Sequence, residues 1–161
     1  MLASATDERL LECHGRAMAA GSNSIDIDRP VEQVYRFLAN GLNNPLWRPT
    51  VTDVRLASGS PGTFGAVYEQ RIKGPFGIRI PADYRLIQAI SSFRIKFEVI
   101  TGPARPVGLF DLEPTASGSR VRFSLSYEPK GLKRLMNPLI QKVMDAEVRN
   151  LANLKRAIER S

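Results

Sequence analysis

The side chains that most often carry catalysis or bind metals are nearly absent from this sequence. Its 161 residues include one histidine, His14, and one cysteine, Cys13, and both precede every segment that is typical of a folded domain. Ser-His-Asp and Cys-His catalysis, histidine-ligated metal centres and haem ligation by histidine therefore lack their central group. Any reaction would have to use Asp, Glu, Tyr, Lys, Arg or Ser, and we predict neither a metal site nor a cofactor.

Glu147 is the most informative acidic residue. At about 100° per residue of an α-helix, it projects in the middle of an apolar stripe that contains Met136, Val143, Leu151 and Leu154. A charge in that direction must be paired, hydrated in a cavity or neutralised. Two interpretations stay open. Either Glu147 faces a pocket, or it is a structural residue that pairs with an Arg or Tyr of a strand or is moved toward solvent by a helix bend.

Other polar and aromatic side chains fall on the apolar faces of predicted strands. A buried tyrosine gives packing area together with a hydroxyl group that needs a partner. Each tyrosine taken alone is also typical of an ordinary core, the phenylalanines suit either a core or a cavity wall, and the tryptophan suits either a cavity mouth or a hydrophobic plug. The predicted ligand-binding set is Trp47, Tyr68, Gln70, Tyr84, Phe97, Phe110, Phe123, Tyr127, Val143, Glu147 and Leu151.

The elements that must position these residues form one domain of the α+β class. A chain of this length predicts a single core, over residues 22–161, preceded by an N-terminal extension over residues 1–21. A short strand from residue 24 precedes a helix that begins near Pro30. Residues 51–127 then alternate apolar and polar side chains, which predicts about six antiparallel strands covered on one side. An apolar stripe over residues 132–159 predicts the covering helix, with Pro138 at a kink or in its first turn.

The N-terminal residues also bear on the cellular compartment. Asp7, Glu8 and Glu12 occupy the stretch where a signal peptide needs an apolar run, and no stretch is long enough to span a bilayer. A lone cysteine cannot form an intrachain disulfide, which favours a reducing compartment. We expect a cytoplasmic monomer or homodimer without a membrane span.

Several short motifs are spread over the predicted elements of the domain. They are IDIDRPVEQVYRFL (25–38), PLWRP (45–49), TGPARP (101–106), FDLEP (110–114), GSRVRF (118–123), YEPKGL (127–132) and VRNLANLK (148–155). These motifs and the order of elements resemble the helix-grip fold of the START/Bet v 1-like (SRPBCC) superfamily, in particular its polyketide cyclase/dehydrase-type branch of bacterial proteins, over residues 24–159. The resemblance implies a curved antiparallel sheet of about seven strands wrapped around a long C-terminal helix, in the order β-α(α)-β6-α, with a ligand cavity between them.

Three functions remain open on this evidence. The first is binding of a hydrophobic or amphiphilic small molecule, lipid-, polyketide- or isoprenoid-like, between the sheet and the C-terminal helix. The second is a cyclase or dehydratase acting on a polyketide-like carbonyl compound, with Glu147 as general base and Tyr84 as oxyanion donor.

The third function is a protein- or RNA-binding module that uses basic residues on the outer sheet face. A net charge of +7 allows it. No aromatic side chain lies among those cations to stack on bases, so nucleic acid is the less expected partner. The predicted outer-face cations are Arg71, Arg79, Arg85, Arg94, Lys96, Arg120 and Arg122.

Overall fold

A computed structural model describes residues 19–161. The first 18 residues of the predicted N-terminal extension, with Cys13 and His14, lie outside the described residues. The boundary predicted at residue 22 needs correction, because the first strand already begins at Ala19. Residues 19–21 therefore belong to the sheet.

The chain forms an antiparallel sheet with two helical segments that follow it and one that is inserted after the first strand. The strands are β1 (Ala19–Ile27), β2 (Val51–Ser58), β3 (Val67–Lys73), β4 (Arg79–Pro81), β5 (Tyr84–Ile90), β6 (Arg94–Val99), β7 (Val107–Pro114) and β8 (Ser119–Tyr127). The α-helices are α1 (Val31–Ala39), α2 (Asn137–Arg149) and α3 (Leu151–Glu159), and 3-10 helices cover Gly41–Leu46, Pro75–Gly77 and Gly131–Met136. This arrangement confirms the helix-grip fold and the α+β class.

The strands are paired in the order β1-β8-β7-β6-β5-β3-β2, and β4 pairs separately with β3. Because β1 joins β8, the first and last strands of the chain are neighbours, and all pairs are antiparallel. Alternate residues of each strand face the core, as in β8, where Val121, Phe123, Leu125 and Tyr127 are buried. The remaining apolar surface is covered by α2 and α3, which pack along β1, and by α1, which lies against β7 and β8.

Two details differ from the prediction of about seven strands and one long helix. The stretch over residues 78–86 is divided into β4 and β5, since the Asp83 carboxylate accepts the backbone N–H of Gln70 and Thr101 accepts the N–H of Asp83. These side-chain bonds replace ladder bonds at that point. The C-terminal helix is divided at Asn150, and Pro138 lies in the first turn of α2 rather than at an internal kink.

Candidate functional site

A cavity of about 330 Å³ lies between the concave face of the sheet, the 3-10 helix Gly41–Leu46 and α2. This volume is within the range of about 300–1,000 Å³ typical of ligand pockets. Nine of the eleven predicted residues line it. They are Trp47, Gln70, Tyr84, Phe97, Phe110, Phe123, Tyr127, Val143 and Glu147.

An aromatic cluster forms one wall of the cavity. The rings of Phe110 and Phe123 stack with centroids 4.3 Å apart, and Trp47 meets both of them edge-on at 6.2 and 6.4 Å. Trp47 is buried, so it both lines the cavity and plugs the space between the 3-10 helix and the sheet. Phe97 extends the wall over Gly108, where an added Cβ atom would lie 2.0 Å from the ring. The absence of a side chain at Gly108 therefore allows the Phe97 ring to pack directly against the backbone of β7.

A buried polar cluster of Asn44, Gln70 and Tyr84 lies in the cavity wall. The Asn44 amide nitrogen donates to the Gln70 side-chain oxygen at 2.9 Å and to the Tyr84 hydroxyl oxygen at 3.0 Å. Burial raises the pKa of Tyr84 well above its usual value of 10, while the charge of Arg48 opposes that shift. Tyr84 is therefore a neutral phenol.

Two donors of this polar cluster remain for a ligand. Tyr84 accepts the bond from Asn44, and no acceptor among residues 19–161 takes its own hydroxyl hydrogen. The Gln70 amide nitrogen likewise has no hydrogen bond to the described residues, although Gln70 is only 3% exposed. Neither group is a fully buried atom without a partner, because both residues line the cavity, and donors that face a cavity favour a guest that carries an oxygen acceptor.

Glu147 both lines the cavity and is paired, so each of the two interpretations from the sequence holds in part. Its carboxylate accepts a hydrogen bond from the Arg48 guanidinium and another from the Thr50 hydroxyl, each at 2.9 Å. The partner is thus an arginine before β2 and not one of the strand residues. Arg48 also lies over the Trp47 ring at 5.9 Å. A carboxylate accepts about four hydrogen bonds, so lone pairs of Glu147 remain for a guest.

The other two predicted residues, Tyr68 and Leu151, do not line the cavity. The Tyr68 hydroxyl accepts from the Gly62 backbone N–H, and its ring stacks behind Tyr84 with centroids 5.1 Å apart. Tyr68 therefore packs against Tyr84 without lining the cavity itself. Leu151 is fully buried in the core at the start of α3.

Asn44 and Arg48 were missed by the sequence reasoning. Asn44 belongs to a run of turn-forming residues that predicted only the end of a helix, and Arg48 appeared only within the PLWRP motif. Both reach the site because the 3-10 helix crosses close to β3 and β5. At Gly41 an added Cβ would lie 1.9 Å from the Tyr84 hydroxyl oxygen, so only glycine permits that approach.

Most of the predicted outer-face cations are paired with acidic side chains within residues 19–161. Five of the seven predicted outer-face cations form ion pairs, for example Arg94 with Asp111 and Arg120 with Asp26. This pairing reduces the positive field that a nucleic acid would need. No group of three or more His, Cys, Asp or Glu residues in the described chain is arranged to hold a metal ion. No helix there is long and apolar enough to cross a bilayer.

The sequence matches one protein family, and the structure is similar to several solved structures. Residues 18–159 match the model of a family described as polyketide cyclase / dehydrase and lipid transport. No curated protein matches the chain in sequence.

Among solved structures, a domain of the di-domain ARO/CYC BexL from the BE-7585A biosynthetic pathway superposes with a TM-score of 0.74. The identity is 17%, over 91% of this chain and 52% of that one. A START superfamily protein from Mycobacterium smegmatis gives 0.70 at 13% identity, over 88% and 97%. A protein from Thermus thermophilus, TTHA0849, gives 0.66 at 20% identity, over 88% and 96%. At these identities the likeness establishes the fold alone.

Proposed function

The chain belongs to the polyketide cyclase / dehydrase and lipid transport family, and we propose that it encloses a hydrophobic or amphiphilic small molecule in the cavity beside α2. The observation that carries this proposal is that the donors of Gln70 and Tyr84 line an otherwise largely apolar cavity and make no hydrogen bond to an acceptor among residues 19–161. The guest is mainly apolar and carries at least one oxygen acceptor at the end that meets these donors.

The magnitudes show why the polar end matters. Burying about 300 Å² of apolar ligand surface at ~25 cal/mol/Å² yields roughly 7–8 kcal/mol. Association costs at least ~4 kcal/mol, which leaves an affinity near the millimolar range. Each hydrogen bond to an otherwise unsatisfied donor adds about 1 kcal/mol or more. The polar cluster therefore decides which apolar molecules bind usefully.

Two matched ligands test the proposal. Isothermal titration calorimetry with 2-acetylnaphthalene and 2-ethylnaphthalene compares molecules of similar shape that differ by a carbonyl oxygen. We expect the ketone to bind five- to tenfold more tightly, at ~1–1.4 kcal/mol, because it accepts from Tyr84 and Gln70. Trp47 is the chain's single tryptophan and lines the cavity, so its fluorescence reports the same event.

Single substitutions test which residues cause the preference for the ketone. Tyr84→Phe and Gln70→Leu should each reduce the preference for the ketone, whereas Tyr35→Phe removes the hydroxyl of a tyrosine that does not line the cavity and should leave the preference unchanged. Saturable binding of neither ligand would refute enclosure in the cavity. Equal preference in the wild type and in Tyr84→Phe would refute the assigned polar end.

A second candidate function is cyclisation and dehydration of a carbonyl compound. It is favoured by one observation, that the Glu147 carboxylate and the neutral phenol of Tyr84 line the same cavity. Glu147 would remove a proton beside one carbonyl while Tyr84 donates to the developing enolate oxygen. The enolate carbon would then bond to a second carbonyl, and loss of the resulting hydroxyl with a neighbouring proton would release water.

A simple substrate separates catalysis from binding. Cyclisation of 2,6-heptanedione to 3-methylcyclohex-2-enone and water is followed by the ultraviolet absorbance of the enone. An enzyme should lose this activity in Glu147→Gln and lose much of it in Tyr84→Phe. Ligand binding without turnover assigns the chain to binding alone, and turnover that persists in Glu147→Gln contradicts the role given to the carboxylate.

A further inference from the structure

The mouth of the cavity can be located from the exposure of its lining. Every lining residue that is exposed to solvent belongs to one of three segments, residues 73–81, 101–106 and 130–143. Pro75, Pro103 and Met136 are examples, one from each segment. The first two segments adjoin, since a Cβ at Gly102 would lie 2.3 Å from the carbonyl oxygen of Pro81. We call these three segments the mouth rim.

The mouth rim exposes large apolar side chains that do not line the cavity. Phe76 is fully exposed, and Leu132 and Leu135 are 86% and 82% exposed, which makes them the three most exposed large apolar residues in the described chain. Phe76 also has a φ angle of +58°, a left-handed conformation that is rare for a bulky residue. A ring so exposed gains little packing that could offset this cost. Apolar side chains gathered at one place on a surface mark an interaction site.

The charge of the mouth rim is of one sign. Its three segments contain seven Lys and Arg residues and no Asp or Glu, which equals the net charge of +7 of the whole chain. The rest of the chain is therefore balanced, and the positive charge is concentrated around the mouth. Arg79 is partly offset by Asp53 at 3.7 Å, and the nearest acidic neighbours in sequence, Asp83, Glu128 and Asp145, each lie two residues outside the segments.

We propose that the mouth rim docks on the surface of an anionic lipid bilayer. The exposed apolar side chains of Phe76, Leu132 and Leu135 stand on two separate segments of the mouth rim, among its cations. A bilayer accepts such projecting side chains without shape complementarity, and its anionic head groups match the surrounding cations. The docked mouth faces the acyl chains, so an apolar guest passes between bilayer and cavity without crossing water. This surface is an addition to the proposed binding function and is tested separately from it.

Vesicle sedimentation tests the docking with phosphatidylcholine alone and with phosphatidylcholine containing one quarter phosphatidylglycerol. We expect binding to the anionic vesicles, with weakening as salt is raised. Arg134→Gln with Lys142→Gln should weaken it about 25-fold, since each cation near such a surface contributes about fivefold. Phe76→Ser with Leu135→Ser should weaken it at least tenfold by removing apolar surface that enters the bilayer.

Two control variants remove the same number of cations or of large apolar side chains from outside the mouth rim. Arg122→Gln with Arg149→Gln removes two exposed cations outside the mouth rim, and Phe64→Ser with Phe93→Ser removes two exposed aromatic rings elsewhere. Both control variants should bind vesicles like the wild type. The mouth-rim variants avoid the cavity lining, so binding of 2-acetylnaphthalene from solution should be unchanged in all four.

Three results would overturn the docking proposal. One is absence of binding to anionic vesicles, and a second is equal weakening in the mouth-rim and control variants, which would reflect net charge alone. The third is loss of self-association or of binding to an acidic protein in the mouth-rim variants while vesicle binding persists. Failure of ketone binding in solution with vesicle binding intact would instead refute the proposed function.

Discussion

Replacing Glu147 by glutamine removes one charge from the interior and nearly preserves the shape of the side chain. The glutamine oxygen can still accept from Arg48 or Thr50, but the Arg48 guanidinium loses its counter-charge. The side chains of Arg48 and Glu147 are only 14% and 10% exposed, so water can replace little of what is lost. The substitution therefore asks how strongly the interior depends on this ion pair.

The expected magnitude follows from the geometry. At an effective dielectric constant of about 20, unit charges 2.9 Å apart attract by roughly 6 kcal/mol. Hydration given up by the two ions costs several kcal/mol each, so the intact pair contributes little net stability. Removing one partner leaves the other charge uncompensated, at a cost of about 3 kcal/mol. For a domain of this size, that corresponds to a melting temperature lower by roughly 6–12 °C.

A double-mutant cycle measures the coupling. Thermal and urea unfolding are compared for the wild type, Glu147→Gln, Arg48→Met and the double variant. Because the double variant buries neither charge, it should be at least about 2 kcal/mol more stable than the sum of the single changes predicts. The exposed pair of Arg55 and Glu69 is the matched control, and Glu69→Gln should change stability by less than ~0.5 kcal/mol.

A coupling energy between Arg48 and Glu147 of less than ~0.5 kcal/mol, the effect expected of the exposed control Glu69→Gln, would refute the reasoning. It would mean that both charges stay hydrated and that Glu147 does not lie in an enclosed site. The polar end of the cavity would then be open to water, and a base or anchor at Glu147 would lose the low-dielectric surroundings that strengthen its interactions.

Two further predictions test the aromatic wall and the C-terminal ion pair. Gly108→Ala places a Cβ 2.0 Å from the Phe97 ring, so the ring must move into the cavity. We expect the variant to be destabilised by ~1–3 kcal/mol and to bind 2-acetylnaphthalene at least tenfold more weakly. An unchanged affinity would show that the ring is displaced elsewhere. The hydrogen bond from Lys155, with that from the Asp28 backbone, holds the pKa of Glu159 below its usual 4.5, so its stabilisation is present above that pH and is lost as pH falls through the folded-state pKa. The melting-temperature gap between wild type and Glu159→Gln should therefore narrow as the pH is lowered from 7 to below 4.5, and a constant gap would contradict this.

The strands could be predicted because alternation is a local property of the sequence. In β8 every second residue from Val121 to Tyr127 is apolar and buried, and the strand ends at residue 127, where the predicted alternation over residues 51–127 also ends. The break between β4 and β5 could not be predicted in this way. It arises because Asp83 bonds to the backbone of Gln70, and this contact depends on how two strands are placed.

Alternation predicts the face on which a side chain lies but not its depth within the layer beneath that face. Tyr68 and Tyr84 are on the same face of neighbouring strands, yet only Tyr84 lines the cavity. Tyr68 is covered by the turn at Gly41, where an added Cβ would lie 2.9 Å from its ring. The distinction comes from a helix that crosses the sheet, which no spacing within the strands records.

The polar end of the cavity is the product of that same crossing. Gly41 lets the 3-10 helix approach the sheet, and the approach brings the Asn44 amide within 3.0 Å of both Gln70 and Tyr84. Asn44 uses both of its amide hydrogens in these bonds, so the acceptors on Gln70 and Tyr84 are satisfied by the protein. What remains for a guest is the Tyr84 hydroxyl hydrogen and the two amide hydrogens of Gln70. The close approach that Gly41 permits thus determines that the cavity lining offers hydrogen-bond donors, and the proposed preference for oxygen-bearing apolar molecules depends on it.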